Sequence, residues 1–150
     1  MLEQEFNFEK KISDWLNKLY KEKYPAVIIK DVSKIEKGHD KILIIKGKNW
    51  KVEEKARQKV WDDILIETIQ DTNSESEGWG RYCDADLLIY VMGDPPEKVY
   101  RIIWDAFQYW FEECEFSFKE IESKKGWGNT INKIVPINKI PRRIIKQILD

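Results

Sequence analysis

Residues 40–57 read DKILIIKGKNWKVEEKAR, and this stretch carries the strongest fold signal in the chain. Two strand-like runs, residues 40–46 and residues 50–57, flank the turn-forming tripeptide Gly47-Lys48-Asn49. The stretch therefore predicts a β-hairpin. Because the first run is apolar on both faces, we expect it to be a central strand of a sheet.

The second strand of this hairpin carries two charged groups on one face. Glu53 and Lys55 are two residues apart, so their side chains point the same way. Folding the first strand back places Asp40 roughly opposite Lys55, whereas a slip of one residue turns Asp40 to the other face. If Asp40 and Glu53 converge, their carboxylates can share Mg²⁺ or Mn²⁺, since these cations prefer oxygen ligands. The alternative is a surface salt bridge between Glu53 and Lys55.

The rest of the chain predicts a mixture of helices and strands in one domain over residues 1–150. Apolar residues at helical spacing predict an amphipathic helix over residues 3–22. Three more apolar runs predict strands: residues 26–31, 63–70 and 86–92. Downstream we expect an aromatic-rich helix, a hairpin around Gly126-Trp127-Gly128 and a basic helix: residues 97–114, residues 116–123 with 130–136, and residues from about 141.

The composition removes several classes of protein from consideration. With one histidine, His39, the chain lacks the ligands of most zinc hydrolases and the base of His-dependent triads. Cys83 and Cys114 are too few for a disulfide scaffold or a four-thiolate zinc site, so we expect reduced thiols. Because no run approaches about 18 uncharged apolar residues and the N-terminus is acidic, we expect no membrane association and a cytoplasmic location.

Charge is distributed unevenly behind the formal net charge of -1. Residues 23–59 and residues 123–150 each sum to +6, whereas residues 60–122 between them sum to -12. If the fold brings the two basic segments together, they would form a cationic surface that can hold a phosphate backbone. The alternative is that the basic side chains of both segments lie on separate solvated faces. The candidate nucleic-acid contacts are Lys124, Lys125, Arg142, Arg143 and Arg81, which follows Gly78-Trp79-Gly80.

Asp40 in Gly38-His39-Asp40, followed by Glu53-Glu54-Lys55, resembles the motif of the PD-(D/E)xK nucleases, although His39 stands where the family name has Pro. The order of elements over residues 5–113 also resembles that family's core. The resemblance implies an α/β (α+β) restriction-endonuclease-like fold, with a central mixed β-sheet flanked by helices in an α-β-β-β-α-β arrangement. The C-terminal hairpin and helix would be additions. It also implies that Asp40 and Glu53 bind Mg²⁺ or Mn²⁺ and that Lys55 positions the attacking water.

Two further acids, Glu9 and Glu67, belong to the predicted site. Many members of the family carry an acid on the first helix, and Glu9 matches it here, with Glu5 as the alternative register. Glu67 interrupts an apolar run, so it needs a partner such as Lys55, Arg57 or the metal, unless it is a strand-end acid in water.

DNA is the expected substrate, and the chain is similar to small Holliday-junction-resolvase-type members of the family. We expect a homodimer or structure-selective cutting, because one small domain has little surface for reading sequence. The alternative is a catalytically inactive module with the nuclease fold, serving as a subunit of a phage or DNA-repair assembly.

Overall fold

The computed structural model describes residues 3–125 and 128–149, apart from the side chains of Phe6 and Lys125. The helices are α1 (Glu3–Lys23), α2 (Trp79–Tyr82) and α3 (Trp104–Cys114). The strands are β1 (Ile28–Asp31), β2 (Lys41–Ile45), β3 (Lys48–Arg57), β4 (Asp63–Asp71), β5 (Ser76–Glu77), β6 (Leu87–Met92), β7 (Lys98–Ile103), β8 (Glu120–Lys125), β9 (Gly128–Pro136) and β10 (Ile145–Leu149). Two 3₁₀ turns follow α3 and β9: Glu115–Ser117 and Ile137–Lys139. Over the described ranges, no helix is long and apolar enough to span a bilayer.

The strands described form two sheets. The first is mixed and six-stranded, in the order β1-β2-β3-β6-β7-β10, with β3 and β6 parallel and the other neighbours antiparallel. The second is antiparallel and four-stranded, in the order β5-β4-β9-β8. The prediction of a mixed α/β fold around a central mixed sheet is confirmed. The second sheet also contains the predicted C-terminal hairpin, although residues 126 and 127 of its turn lie outside the described residues.

Both faces of the six-stranded sheet bear packed apolar residues. On one face, the apolar stripe of α1 packs on the sheet and buries Ile12 and Leu16 with Ile89 and Val91 of β6. On the other face, Leu88 and the remaining alternate residues of β6 pack toward the second sheet, α2 and α3. This burial on both faces explains why β6 is an uninterrupted apolar run.

Helix α3 is held by stacked aromatic rings, as its spacing predicted. The ring centroids of Trp104 and Phe107 are 5.2 Å apart, and those of Phe107 and Phe111 are 5.5 Å apart. The indole Nε1 of Trp104 donates a hydrogen bond to the Cys83 carbonyl at 2.9 Å. This bond fixes the segment after α2, which lies beside the acidic residues described below.

Two predicted helices are wrong in part or in whole. Residues 98–103 form β7, so the helix predicted from residue 97 begins at Trp104. The run KVYRII fits a period of two as well as the helical period, and pairing with β6 decides between them. The basic helix predicted from Pro141 is absent over the described residues, since Ile145–Leu149 pairs with β7 as β10. An unpaired sheet edge thus overrides local helix preference.

Candidate functional site

The turn of the β2–β3 hairpin determines which residues meet at the site. Lys46 and Gly47 form a two-residue turn with φ of 51° and 77°, the left-handed values that a tight hairpin turn requires. Ile45 consequently pairs with Lys48. The predicted turn at Gly47-Lys48-Asn49 is therefore wrong, because a two-residue turn follows the twist of the strands better than a longer one.

This register brings Asp40 beside Glu53. The ladder ends at the pair of Lys41 and Val52, and the Asp40 amide, one residue earlier, also donates to the Val52 carbonyl, so Asp40 lies next to Glu53 at the end of the ladder. The prediction that Asp40 faces Lys55 is wrong by two residues as a consequence of the shifted turn. The corrected register nevertheless produces the convergence of Asp40 and Glu53 on which the predicted site depends.

Backbone hydrogen bonds hold Asp40 in this position. The Asp40 amide donates to the Val52 carbonyl at 2.8 Å, and Asp40 Oδ2 accepts from the Glu54 amide at 2.8 Å. Asp40 is half-buried, whereas the Glu53 residue is only 5% exposed. One carboxylate is thus fixed by main-chain groups, and the other lies beneath the surface next to it.

The two carboxyl groups form a hydrogen-bonded pair. Burial and, after it, the hydrogen bond to Asp40 together raise the pKa of Glu53 to about 9, against the opposing positive charge of Lys55. At neutral pH, the pair of Asp40 and Glu53 therefore holds one proton between its two carboxyl groups. This proton lies between the carboxyl oxygens of the two residues. A divalent cation could occupy the same position in place of the proton.

Lys55 lies beside this pair on the same face of β3. Its ammonium group is 5.1 Å from the centroid of the Trp79 ring, which is buried in the core at the start of α2. The positive charge of Lys55 also lowers the pKa of Glu9, against the larger raising effect of burial. Lys55 is therefore within electrostatic reach of acids from two different elements.

Glu9 of α1 faces the same place from the helix side. Although the Glu9 residue is exposed, partial loss of hydration raises the pKa of its carboxyl group, and the negative charge of Asp40 raises it further. Glu9 is thus within electrostatic reach of Asp40 and Lys55, and also of Glu5, the residue of the alternative register.

Glu67 of β4, in the second sheet, and Tyr82 of α2 lie within electrostatic reach of the acids of the site. Glu67 Oε1 accepts a long hydrogen bond from the Trp79 amide at 3.4 Å. Burial raises the pKa of Tyr82, and the negative charges of Glu53 and Glu67 raise it further. Sequence reasoning missed Tyr82, because no periodicity distinguishes a half-buried tyrosine in a short helix.

Glycine permits α2 to lie directly against β4. A Cβ atom at Gly78 would approach the Glu67 carbonyl oxygen to 2.5 Å, and one at Gly80 would approach Ile66 Cγ2 to 2.5 Å. Trp79, between these two glycines, is 7% exposed and packs in the core, so the segment anchors α2 on the core. This close packing positions Trp79 under Lys55 and Tyr82 beside the acids.

A buried ion pair, also missed from the sequence, fastens α1 to the hairpin. Lys41 Nζ lies 2.8 Å from a Glu54 carboxylate oxygen. It also donates to Asn17 Oδ1 at 2.8 Å and to the Ser13 carbonyl at 3.0 Å. The Tyr20 hydroxyl donates to Glu54 at 2.6 Å. Burial raises the pKa of Glu54, and the charge of Lys41 opposes this effect. Because the Glu54 amide also holds Asp40, the network links helix position to site geometry.

His39 anchors the segment that precedes Asp40. Its Nδ1 lies 2.8 Å from Asp84 Oδ1, and its side chain is buried. Gly38 has φ of +104°, and a Cβ there would lie 2.7 Å from the same Asp84 oxygen. The pair Gly38 and His39 therefore packs closely on the segment after α2, which fixes where β2 begins.

The predicted nucleic-acid contacts lie on different elements. Arg81 donates two hydrogen bonds to Glu115, at 2.9 Å and 2.6 Å, so its charge is paired. Arg142 and Arg143 are exposed just before β10, which β6 and β7 separate from β3 by roughly 14 Å. Lys124 is exposed on β8, and the side chain of Lys125 lies outside the described part.

The donor set is compatible with a magnesium or manganese ion. Within the described residues, no cluster of three or more His, Cys, Asp or Glu side chains is arranged to hold a metal. Mg²⁺, however, commonly takes one or two protein carboxylates and fills its remaining positions with water. The pair formed by Asp40 and Glu53 meets that requirement.

Comparison with protein-family models, curated proteins and solved structures finds no match. The assignment of function therefore depends on the geometry of the site and on the motif within it.

The raised pKa of Glu53 predicts that this protein loses stability as pH rises. Between the ordinary value of 4.5 and the folded value of about 9, the native state holds a proton that the unfolded chain has released. The free energy of unfolding should therefore fall with pH in this window, by at most about 1.4 kcal/mol per pH unit. Urea denaturation at several pH values measures the slope. Glu53→Gln should flatten it, and an unchanged slope in that variant would contradict the assignment.

Proposed function

We propose that this chain is a metal-dependent nuclease of the PD-(D/E)xK type that hydrolyses DNA phosphodiester bonds. The observation that carries the proposal is the position of Asp40, which the Glu54 and Val52 main-chain groups hold next to the buried Glu53, with Lys55 on the same strand face as Glu53. Two converging carboxylates and one lysine match the motif both in residue type and in placement on neighbouring strands.

The connectivity of the six-stranded sheet supports the proposal. Helix α1 precedes the antiparallel β1, β2 and β3, and the chain then crosses over to β6, which is parallel to β3. This order resembles the α-β-β-β-α-β core of restriction-endonuclease-like proteins. Here β4, β5 and the short α2 occupy the crossover in place of one long helix.

In the proposed mechanism, Asp40 and Glu53 would hold the cation, a role that requires the pair to have lost its shared proton. When bound, Mg²⁺ or Mn²⁺ supplies neutralisation of the phosphate charge and a lower pKa for the attacking water. The Lys55 ammonium orients that water and stabilises the negative charge that develops on the phosphate oxygens. Glu9 and Glu67 are the auxiliary acids, and Glu9, whose pKa is raised, would accept the proton of the water as the new P–O bond forms. The P–O bond to the leaving oxygen would break, and that oxygen would take a proton from solvent.

The test is cleavage of labelled single-stranded, duplex, flap and four-way DNA with Mg²⁺ or Mn²⁺, combined with calorimetric titration of Mn²⁺. We expect metal-dependent cleavage and binding heat from the wild-type protein, and loss of both in Asp40→Asn. Asp14→Asn, which alters an exposed carboxylate of α1, is the matched control and should retain both. A wild-type protein with neither cleavage nor Asp40-dependent heat would refute the nuclease and favour a non-catalytic interaction module.

A further inference from the structure

Part of the sheet face that α1 covers has no covering helix in the described structure. Six strands span about 24 Å between the outermost two, whereas a helix with its side chains is about 10 Å wide. Beside the C-terminal end of α1, between the hairpin and β10, lies an open cleft of about 1200 Å³. Its floor is the sheet itself.

The floor of this cleft is aliphatic. Its apolar lining comes from β2, β3, β6, β7 and β10 and includes Leu43, Ile45, Val52, Leu87, Ile103 and Ile148. Ile103 is 36% exposed. Leu43 and Val52 are almost fully buried, so the accessible part of the floor is formed by the remaining four residues. An accessible aliphatic patch on one sheet face is typical of a docking site.

The rim of the cleft is predominantly cationic. Five basic side chains line it: Lys23, Lys46, Lys48, Arg101 and Lys146. Three carboxylates also line it, from Asp84, Asp86 and Asp105, so the five positive charges outnumber the negative ones. The charge presented to an occupant is therefore positive overall.

We propose that this cleft docks an amphipathic helix with acidic flanks, supplied by a partner protein. The volume exceeds the roughly 300 to 1000 Å³ of small-molecule pockets, which favours a macromolecular segment. An apolar helix stripe fits the aliphatic floor, and glutamates beside that stripe meet the lysines of the rim.

A nucleic-acid strand fits the same surface less well. Grooves for single strands combine positive charge with aromatic faces on which bases stack. Three aromatic residues line the cleft, but Tyr20 is only 3% exposed and the Lys48 ammonium lies over the Trp50 ring, 4.1 Å from its centroid. Among the lining residues this leaves the ring of Tyr24 for stacking. A helix therefore matches both the charge and the lining, whereas DNA matches only the charge.

The cleft is separate from the carboxylate pair. Val52 lines the cleft, and Glu53, the next residue of β3, points to the opposite face of the sheet. Substitutions on the rim should therefore leave metal binding and DNA cleavage unchanged. Failure of the docking proposal and failure of the nuclease proposal would give different results.

Fluorescence anisotropy with a labelled synthetic peptide tests the proposal. The peptide is an amphipathic helix of about 18 residues, with leucine at helical spacing and glutamate on both flanks. We expect binding to the wild-type protein that weakens by about tenfold or more in Lys48→Glu/Lys146→Glu and in Ile103→Glu. Lys10→Glu/Lys18→Glu, which alters two exposed lysines of α1, should bind as the wild type does.

Four outcomes would overturn the proposal. These are absence of peptide binding, equal binding by rim variants and wild type, equal binding of a peptide with lysine in place of glutamate, and preferential rim-dependent binding of a labelled oligothymidine. Sedimentation of the protein alone tests whether a second copy of the chain occupies the cleft. A dimer that is lost in Ile103→Glu would likewise overturn the proposal, because the chain would then cover its own cleft.

Discussion

Replacement of Lys55 by alanine is expected to lower the rate of Mn²⁺-dependent DNA cleavage by about 100- to 1000-fold. Lys55 is the cation beside the carboxylate pair, and loss of one donor that stabilises transition-state charge commonly costs this much. Single-turnover measurements with saturating enzyme report the chemical step separately from DNA binding. Lys59→Ala, which removes an exposed lysine just after β3, should cleave at close to the wild-type rate.

The pH dependence of the Lys55→Ala variant distinguishes its two roles. The charge of Lys55 lowers the pKa of Glu53, so the alanine variant should hold the Glu53 proton to higher pH and bind metal more weakly at neutral pH. Raising the pH should restore Mn²⁺ binding, as measured by calorimetry, without restoring the cleavage rate. A variant that regained the full rate together with metal binding would show that Lys55 acts only through Glu53.

Much of the fold was predictable because apolar periodicity is a local property. Helix α1 and strands β2, β4 and β6 are strongly patterned over their whole length, and each was predicted with its type correct. Strands β7 and β10 were not, because their short apolar runs fit both periods and only a neighbouring strand decides between them. The division of the strands into two sheets likewise depends on long-range pairing.

The candidate site was predictable in composition but not in register. The spacing of Glu53 and Lys55 placed them on one face whatever the turn was, whereas the position of Asp40 depended on a two-residue turn at Lys46 and Gly47. The role of Lys41 could not be predicted, because its partners come from a helix distant in sequence. A lysine at the start of a strand has the same pattern whether it is solvated or, as here, 1% exposed.

Replacement of Lys41 by methionine is expected to lower the free energy of unfolding by roughly 3 to 5 kcal/mol. Methionine keeps most of the side-chain length but leaves the Glu54 carboxylate buried without its cation, and an unpaired buried charge is strongly destabilising. Urea denaturation near neutral pH measures the loss. The matched control is Lys11→Met, which breaks an exposed pair with Asp94 and should cost less than about 1 kcal/mol.

The pH dependence and a double variant identify the cause of that loss. Lys41 opposes the effect of burial on Glu54, so its removal raises the folded pKa of Glu54 further above the ordinary value of 4.5. The native variant then holds a proton that the unfolded chain releases, and the destabilisation should grow as pH rises above that ordinary value. Lys41→Met/Glu54→Leu should recover much of the stability, because apolar residues can replace a buried ion pair. A Lys41→Met variant as stable as Lys11→Met would show that the buried pair does not hold α1 on the hairpin.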